Sequence, residues 1–118
     1  QKRHFPRMEG RFVFKHAVQR MPEVIEEALA HNGRKLADVN LFLFHQANLR
    51  INEFVAGKLG IPPERTYNNI QKYGNCSAAS IPMLLHECLQ AGRVREGDLI
   101  AMAGFGSGFT WGSALIRW

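Results

Sequence analysis

The chain has 118 residues, is 46% hydrophobic and 21% charged, and sets 15 Lys and Arg against 10 Asp and Glu for a net charge of +5. That is the size and balance of one globular domain with a buried core, and it excludes a disordered chain. No apolar run approaches the roughly 20 residues that span a bilayer, and the basic balance favours acidic partners.

The positive charge is gathered at the start. Lys2, Arg3, Arg7, Arg11, Lys15 and Arg20 face Glu9 alone. A solvated basic surface with no partner explains this equally well. The chain begins at Gln1 with a broken basic segment unlike a signal peptide, so a processed chain or a piece of a longer one is expected. Cys76 and Cys88 are too few for a disulfide framework and lack zinc-site spacing, so a reduced, cytoplasmic setting is the default.

Phe14 to Ala30 reads as a helix, because Phe14, Ala17, Val18, Met21, Ile25, Ala28 and Leu29 recur at steps of three and four. Pro22 makes it either two pieces or one bent helix, and Gly33 is a candidate left-handed cap. Val39 to Phe44 is a nearly unbroken apolar run, as in a strand buried on both faces. A second helix follows from Leu49 to Gly60, ended by Pro62-Pro63. Tyr67 to Tyr73 is a polar-aromatic connection with a possible short strand, and Gly74-Asn75 is turn chemistry. Ala78 to Ala91 reads as a helix that tolerates Pro82 in its first turns. Leu99 to Ala103 is a second buried strand running into a glycine-rich loop, Gly104 to Gly108, and Thr110 to Trp118 is a final strand. The expected fold is α/β, with a mixed sheet layered with helices and closed by a hairpin.

Three features then fall where α/β sheets build sites, at the carboxyl ends of strands and beside helix N-termini. His45 follows a buried strand, Asn75 sits in a turn before a helix, and the glycine-rich loop follows the other buried strand. Each also has a plain structural reading. A histidine at a strand end serves structure as readily as chemistry. Asn75 beside Gly74 fits a turn or a cap. The glycines match neither a dinucleotide fingerprint nor a phosphate loop and suit a tight hairpin. Cys76 reads as a small, partly buried residue. His86 and Cys88, two apart on a helix, make a poor metal pair.

The residues also carry a family resemblance. His45-Gln46-Ala47-Asn48-Leu49-Arg50-Ile51, Tyr73-Gly74-Asn75-Cys76-Ser77-Ala78-Ala79-Ser80-Ile81-Pro82 and Gly106-Ser107-Gly108-Phe109-Thr110-Trp111-Gly112-Ser113-Ala114-Leu115 resemble the C-terminal half of β-ketoacyl-acyl-carrier-protein synthase III. Met8-Glu9-Gly10, Val13-Phe14-Lys15 and Ala17-Val18 are similar to the start of that region. The resemblance implies a thiolase-like fold of two similar halves. Residues 1–118 would be the C-terminal domain, and the nucleophilic cysteine would lie in an N-terminal half absent from this chain. It implies a decarboxylative Claisen condensation of acyl-CoA with malonyl-acyl-carrier protein, both as substrates, with no metal and no further cofactor.

His45 and Asn75 match the family's catalytic histidine and asparagine. Phe105, Gly106 and Ser107 match its active-site loop, where a backbone N–H near Ser107 helps hold an oxyanion. Ser107 stands where glycine is common, which questions the loop's conformation because serine tolerates positive φ less well. Cys76 stands where threonine is usual. Arg50 matches a carrier-protein docking position. The implied partners are acyl carrier protein, the N-terminal half and a second copy in a homodimer, with no nucleic acid and no membrane. Other readings are a non-catalytic half that binds carrier protein or another partner, and related thiolase-superfamily acyl transfer in secondary metabolism. A nucleic-acid-binding reading rests on charge alone.

Overall fold

The computed structural model describes residues 8–118. Lys2, Arg3 and Arg7 of the basic segment therefore lie outside the described residues. Helix α1 runs Gly10–His31 without a break, so Pro22 sits inside one helix. Proline removes the N–H that the Val18 carbonyl would accept and crowds that carbonyl, yet the helix continues, and Ala17, Met21, Pro22, Ile25 and Leu29 keep one buried stripe. Gly33 takes φ +61°, the Arg34 N–H reaches the Leu29 carbonyl at 2.8 Å and the Gly33 N–H reaches Ala30 at 3.1 Å. This is the left-handed stop expected of that glycine.

Strand β1 is Leu41–Phe44, every residue buried. It is shorter than the apolar run because residues 36–38 form a one-turn 3-10 helix closed by Val39. Helix α2 (Leu49–Leu59) follows, then a one-turn helix α3 (Ile70–Tyr73) where a connection was expected. A 3-10 turn at Ser77–Ala79 leads into helix α4 (Ser80–Gln90). Strands β2 (Leu99–Gly106) and β3 (Thr110–Arg117) close the chain. β2 lies between the others, parallel to β1 and antiparallel to β3, so the sheet is mixed as expected.

The side-chain period of two sorts β1 and β2 into two cores. Phe42, Phe44, Leu99, Ala101 and Ala103 pack with the α1 stripe and with Ile51 and Val55 of α2. Leu41, Leu43 and Ile100 pack on the other face against Leu84 and Cys88 of α4. Helices thus cover both faces, which is why both strands read as continuous apolar runs. Thr66 makes a single parallel bridge to Phe42 where the chain crosses from one face to the other. Burial pushes the Cys88 thiol up to about 11. Among the described residues no helix is long and apolar enough to cross a membrane.

One expectation fails. Gly104, Phe105 and Gly106 are strand, paired with Gly112, Trp111 and Thr110. Glycine reads locally as punctuation, but ladder pairing with β3 outweighs that signal. Only Ser107, Gly108 and Phe109 form the turn, and the positive φ values there belong to Gly108 (73°) and Phe109 (46°). Ser107 therefore carries no left-handed strain. Its carbonyl accepts the Thr110 hydroxyl at 2.9 Å.

Candidate active site

β1 ends at Phe44, and His45 continues its pairing by donating its backbone N–H to the Ala103 carbonyl at 2.9 Å. The ring is thereby fixed at the carboxyl end of the parallel strands. His45 Nδ1 and Ser80 Oγ share a hydrogen bond of 2.6 Å, and the same Oγ accepts the Gln46 N–H at 3.2 Å. Half-buried in this position, the imidazole has its pKa lowered by desolvation, since burial penalises the charged form. Burial thus favours its uncharged form.

The residue behind it is tied down more heavily. Gln46 is 1% exposed. Its Nε2 donates to the Phe44 carbonyl at 2.8 Å and to Asn68 Oδ1 at 3.2 Å. Its Oε1 accepts the N–H groups of Asn69 and Ile70 at 3.1 and 3.2 Å. Asn52 Nδ2 joins the same Asn68 oxygen at 3.0 Å. These bonds lock the end of β1 to the segment before α3. That segment is anchored in turn by Glu87, which accepts from Asn69, Tyr67 and Lys72 at 2.8, 3.0 and 2.7 Å.

His45 and Phe105 line one small cavity of about 40 Å³, with Ala47, Asn48 and Asn52 beside them. The structure thus joins the histidine to Phe105 of β2. Gly106 and Ser107 lie farther along, at the exposed tip of β2. Phe105 is itself held by a parallel stack on Trp111, centroids 6.1 Å apart.

Asn75 is exposed and does not line that cavity. It stands before the 3-10 turn and α4 begins five residues later, so of the turn and cap readings the structure shows the turn. Its Oδ1 accepts the Ser77 N–H at 2.8 Å, an Asx turn that holds Ser77 at φ +54°. The Nδ2 group, with two N–H donors, has no hydrogen-bond partner among the described residues. Cys76 is half-buried and its thiol donates to the Tyr73 carbonyl at 3.4 Å. Arg50 is exposed in the first turn of α2, where its N–H is capped by Asn48 Oδ1 at 2.9 Å.

Ser80, Gln46 and Asn52 hold this site together, and sequence reasoning assigns them no role. Ser80 lies 35 positions from the histidine it touches. The one local hint was its place at the start of an amphipathic helix.

The family described as 3-oxoacyl-[acyl-carrier-protein] synthase III C terminal matches residues 29–118. A beta-ketoacyl-[acyl-carrier-protein] synthase III of Aquifex aeolicus is 53% identical over 95% of this chain and 36% of that protein. One from Microcystis aeruginosa is 47% identical over 95% of this chain and 34% of that protein. The crystal structure of the Thermus thermophilus synthase III superposes with a TM-score of 0.93 at 46% identity, covering 95% of this chain and 35% of that one. The chain spans about a third of the length of the curated relatives it matches.

Proposed function

Because the chain belongs to the C-terminal family of 3-oxoacyl-[acyl-carrier-protein] synthase III, with its thiolase-like α/β fold, we propose that it supplies the enolate-stabilising half of a condensing site that starts fatty acid synthesis. The nucleophilic cysteine is carried by an N-terminal half, and this chain alone does not condense. In the proposed reaction an acyl group from acyl-CoA rests on that cysteine as a thioester. Malonyl-carrier protein loses carbon dioxide, and the electron pair of the broken C–C bond passes into an enolate. The enolate carbon attacks the acyl carbonyl, the cysteine thiolate leaves, and the β-ketoacyl chain remains on the carrier protein.

Charge builds on the thioester oxygen of the malonyl group as carbon dioxide departs. Two fixed donors that carry no charge of their own suit that oxygen, because they stabilise it without reorganising. The observation that carries the reading is the imidazole of His45 anchored by Ser80 at the end of β1, where burial favours its uncharged form. The Nδ2 group of Asn75, whose side chain is oriented by the bond from the Ser77 N–H to its oxygen, is the second donor. Phe105 walls the cavity beside the histidine, and the backbone around Gly106 and Ser107 serves the acyl-cysteine oxyanion. Arg50, exposed at the start of α2, meets the acidic carrier protein.

The test is decarboxylation of malonyl-carrier protein by the full-length polypeptide. Removing one such donor costs about 100- to 1000-fold in rate, so His45→Ala and Asn75→Ala are each expected to fall by that order. Near-wild-type carbon dioxide release from either variant overturns the pair.

A further inference from the structure

His45 is a donor only if its proton sits on the nitrogen that faces the substrate. We propose that Ser80 is a positioning residue whose hydroxyl donates to His45 Nδ1, leaving the imidazole proton on Nε2 as the donor to the enolate oxygen. This rests on the reading of His45 given above.

The argument follows from counting protons at Ser80 Oγ. A hydroxyl has one proton to donate and two lone pairs to accept with. The Gln46 N–H takes one lone pair at 3.2 Å. The Nδ1 of His45 stands at 2.6 Å. If Nδ1 carried the imidazole proton, Oγ would accept twice and its own proton would need a third partner. Among the described residues, Gln46 N and His45 Nδ1 are the two atoms that bond this oxygen. Ser80 is 2% exposed, so a stranded O–H would lose its hydration with nothing in exchange. The arrangement that satisfies every group has Gln46 donating to Ser80 and Ser80 donating to Nδ1. The proton of a neutral ring is then on Nε2.

The geometry is also rigid at both ends. Ser80 opens α4, whose Leu84 and Cys88 are locked in the core below β1. Gln46 cannot withdraw its N–H, because its side chain is clamped by Phe44, Asn68, Asn69 and Ile70. One hydroxyl therefore sets both the tautomer and the orientation of the ring.

The experiment is a long-range proton–nitrogen correlation spectrum of the histidine rings in the full-length polypeptide, labelled with nitrogen-15. It is taken above the unperturbed histidine pKa of about 6.5, and the His45 signals are assigned by their loss in His45→Gln. The wild type is expected to show the Nε2–H tautomer. Ser80→Ala is expected to mix the tautomers and slow malonyl-carrier-protein decarboxylation by about 10-fold, less than loss of the donor itself. Ser80→Thr, which keeps the hydroxyl, is expected to restore both. A wild-type ring protonated on Nδ1 overturns the proposal without any variant needing to fold. So does a Ser80→Ala ring that keeps an unmixed Nε2–H signal at the wild-type rate. Failure of the reaction reading is distinguishable: decarboxylation would then survive His45→Ala while the spectrum still showed Nε2–H.

Discussion

His45 stands at the end of a strand whose every residue is buried, beside a glutamine whose side chain makes four hydrogen bonds. Asn75 stands on an exposed turn, held by one bond to a backbone N–H two residues on. Both present an uncharged donor, but the first is placed by the tertiary structure and the second by local chain geometry. The difference teaches where the cost of precision falls. Around His45, positioning and folding are one problem, so damage there reaches the whole domain. Around Asn75 they separate, so the donor can be lost while the fold stands.

Stability measurements can break that contrast. Gln46→Ala strands buried amide and carbonyl groups on both sides of the lock, each worth about 1–3 kcal/mol, and is expected to lower unfolding free energy by about 3 kcal/mol in denaturant titration. A loss below about 0.5 kcal/mol, the size of an ordinary surface change, would show that β1 does not depend on the lock.

The next effect is pH-dependent. Hydrogen bonds from Lys72, then from Asn69, hold the Glu87 carboxyl down to about 2 from 4.5. A carboxyl depressed in the folded state stabilises above its unfolded pKa, and that contribution is lost as pH falls from 4.5 toward about 2. Glu87→Gln is therefore expected to flatten the fall of melting temperature with acid over that window. An unchanged acid slope would remove Glu87 from the anchor behind His45.

The effects at the turn are smaller. Ser77 sits at φ +54° without being glycine, so Ser77→Gly is expected to stabilise by about 1 kcal/mol as the strain is relieved. Destabilisation would mean that the serine side chain earns its place by contacts. Asn75→Ala removes one exposed bond and is expected to change stability by about 0.5 kcal/mol or less, with melting temperature as the check. A loss as large as that of Gln46→Ala would erase the contrast between the two regions.

The same contrast explains what could be read from the amino acids. Fully apolar strands announce layers on both faces, so β1, β2 and the helices against them were legible, as was the stop at Gly33. The pairing that draws Gly104 and Gly106 into β2 depends on a partner strand, and single-residue conformational preference points the other way. The one-turn helix α3 is too short for a periodic pattern to show. At the site, a strand end and a sequence motif single out His45, and the structure places it at the carboxyl end of β1. Ser80 was not legible, because its meaning lies in a contact across 35 positions. Asn75 was correctly placed in a turn, but the turn's own geometry moved the start of α4 away from it.

The central claim is that His45 and Asn75 serve one developing charge. The measurement that tests it most directly is carbon dioxide release from malonyl-carrier protein by the full-length polypeptide carrying His45→Ala, Asn75→Ala and both together. Each single change is expected to cost about 100-fold or more, and the double variant less than the product of the two, because the donors share an oxygen. Single variants that release carbon dioxide at the wild-type rate, or losses that multiply in full, would contradict it.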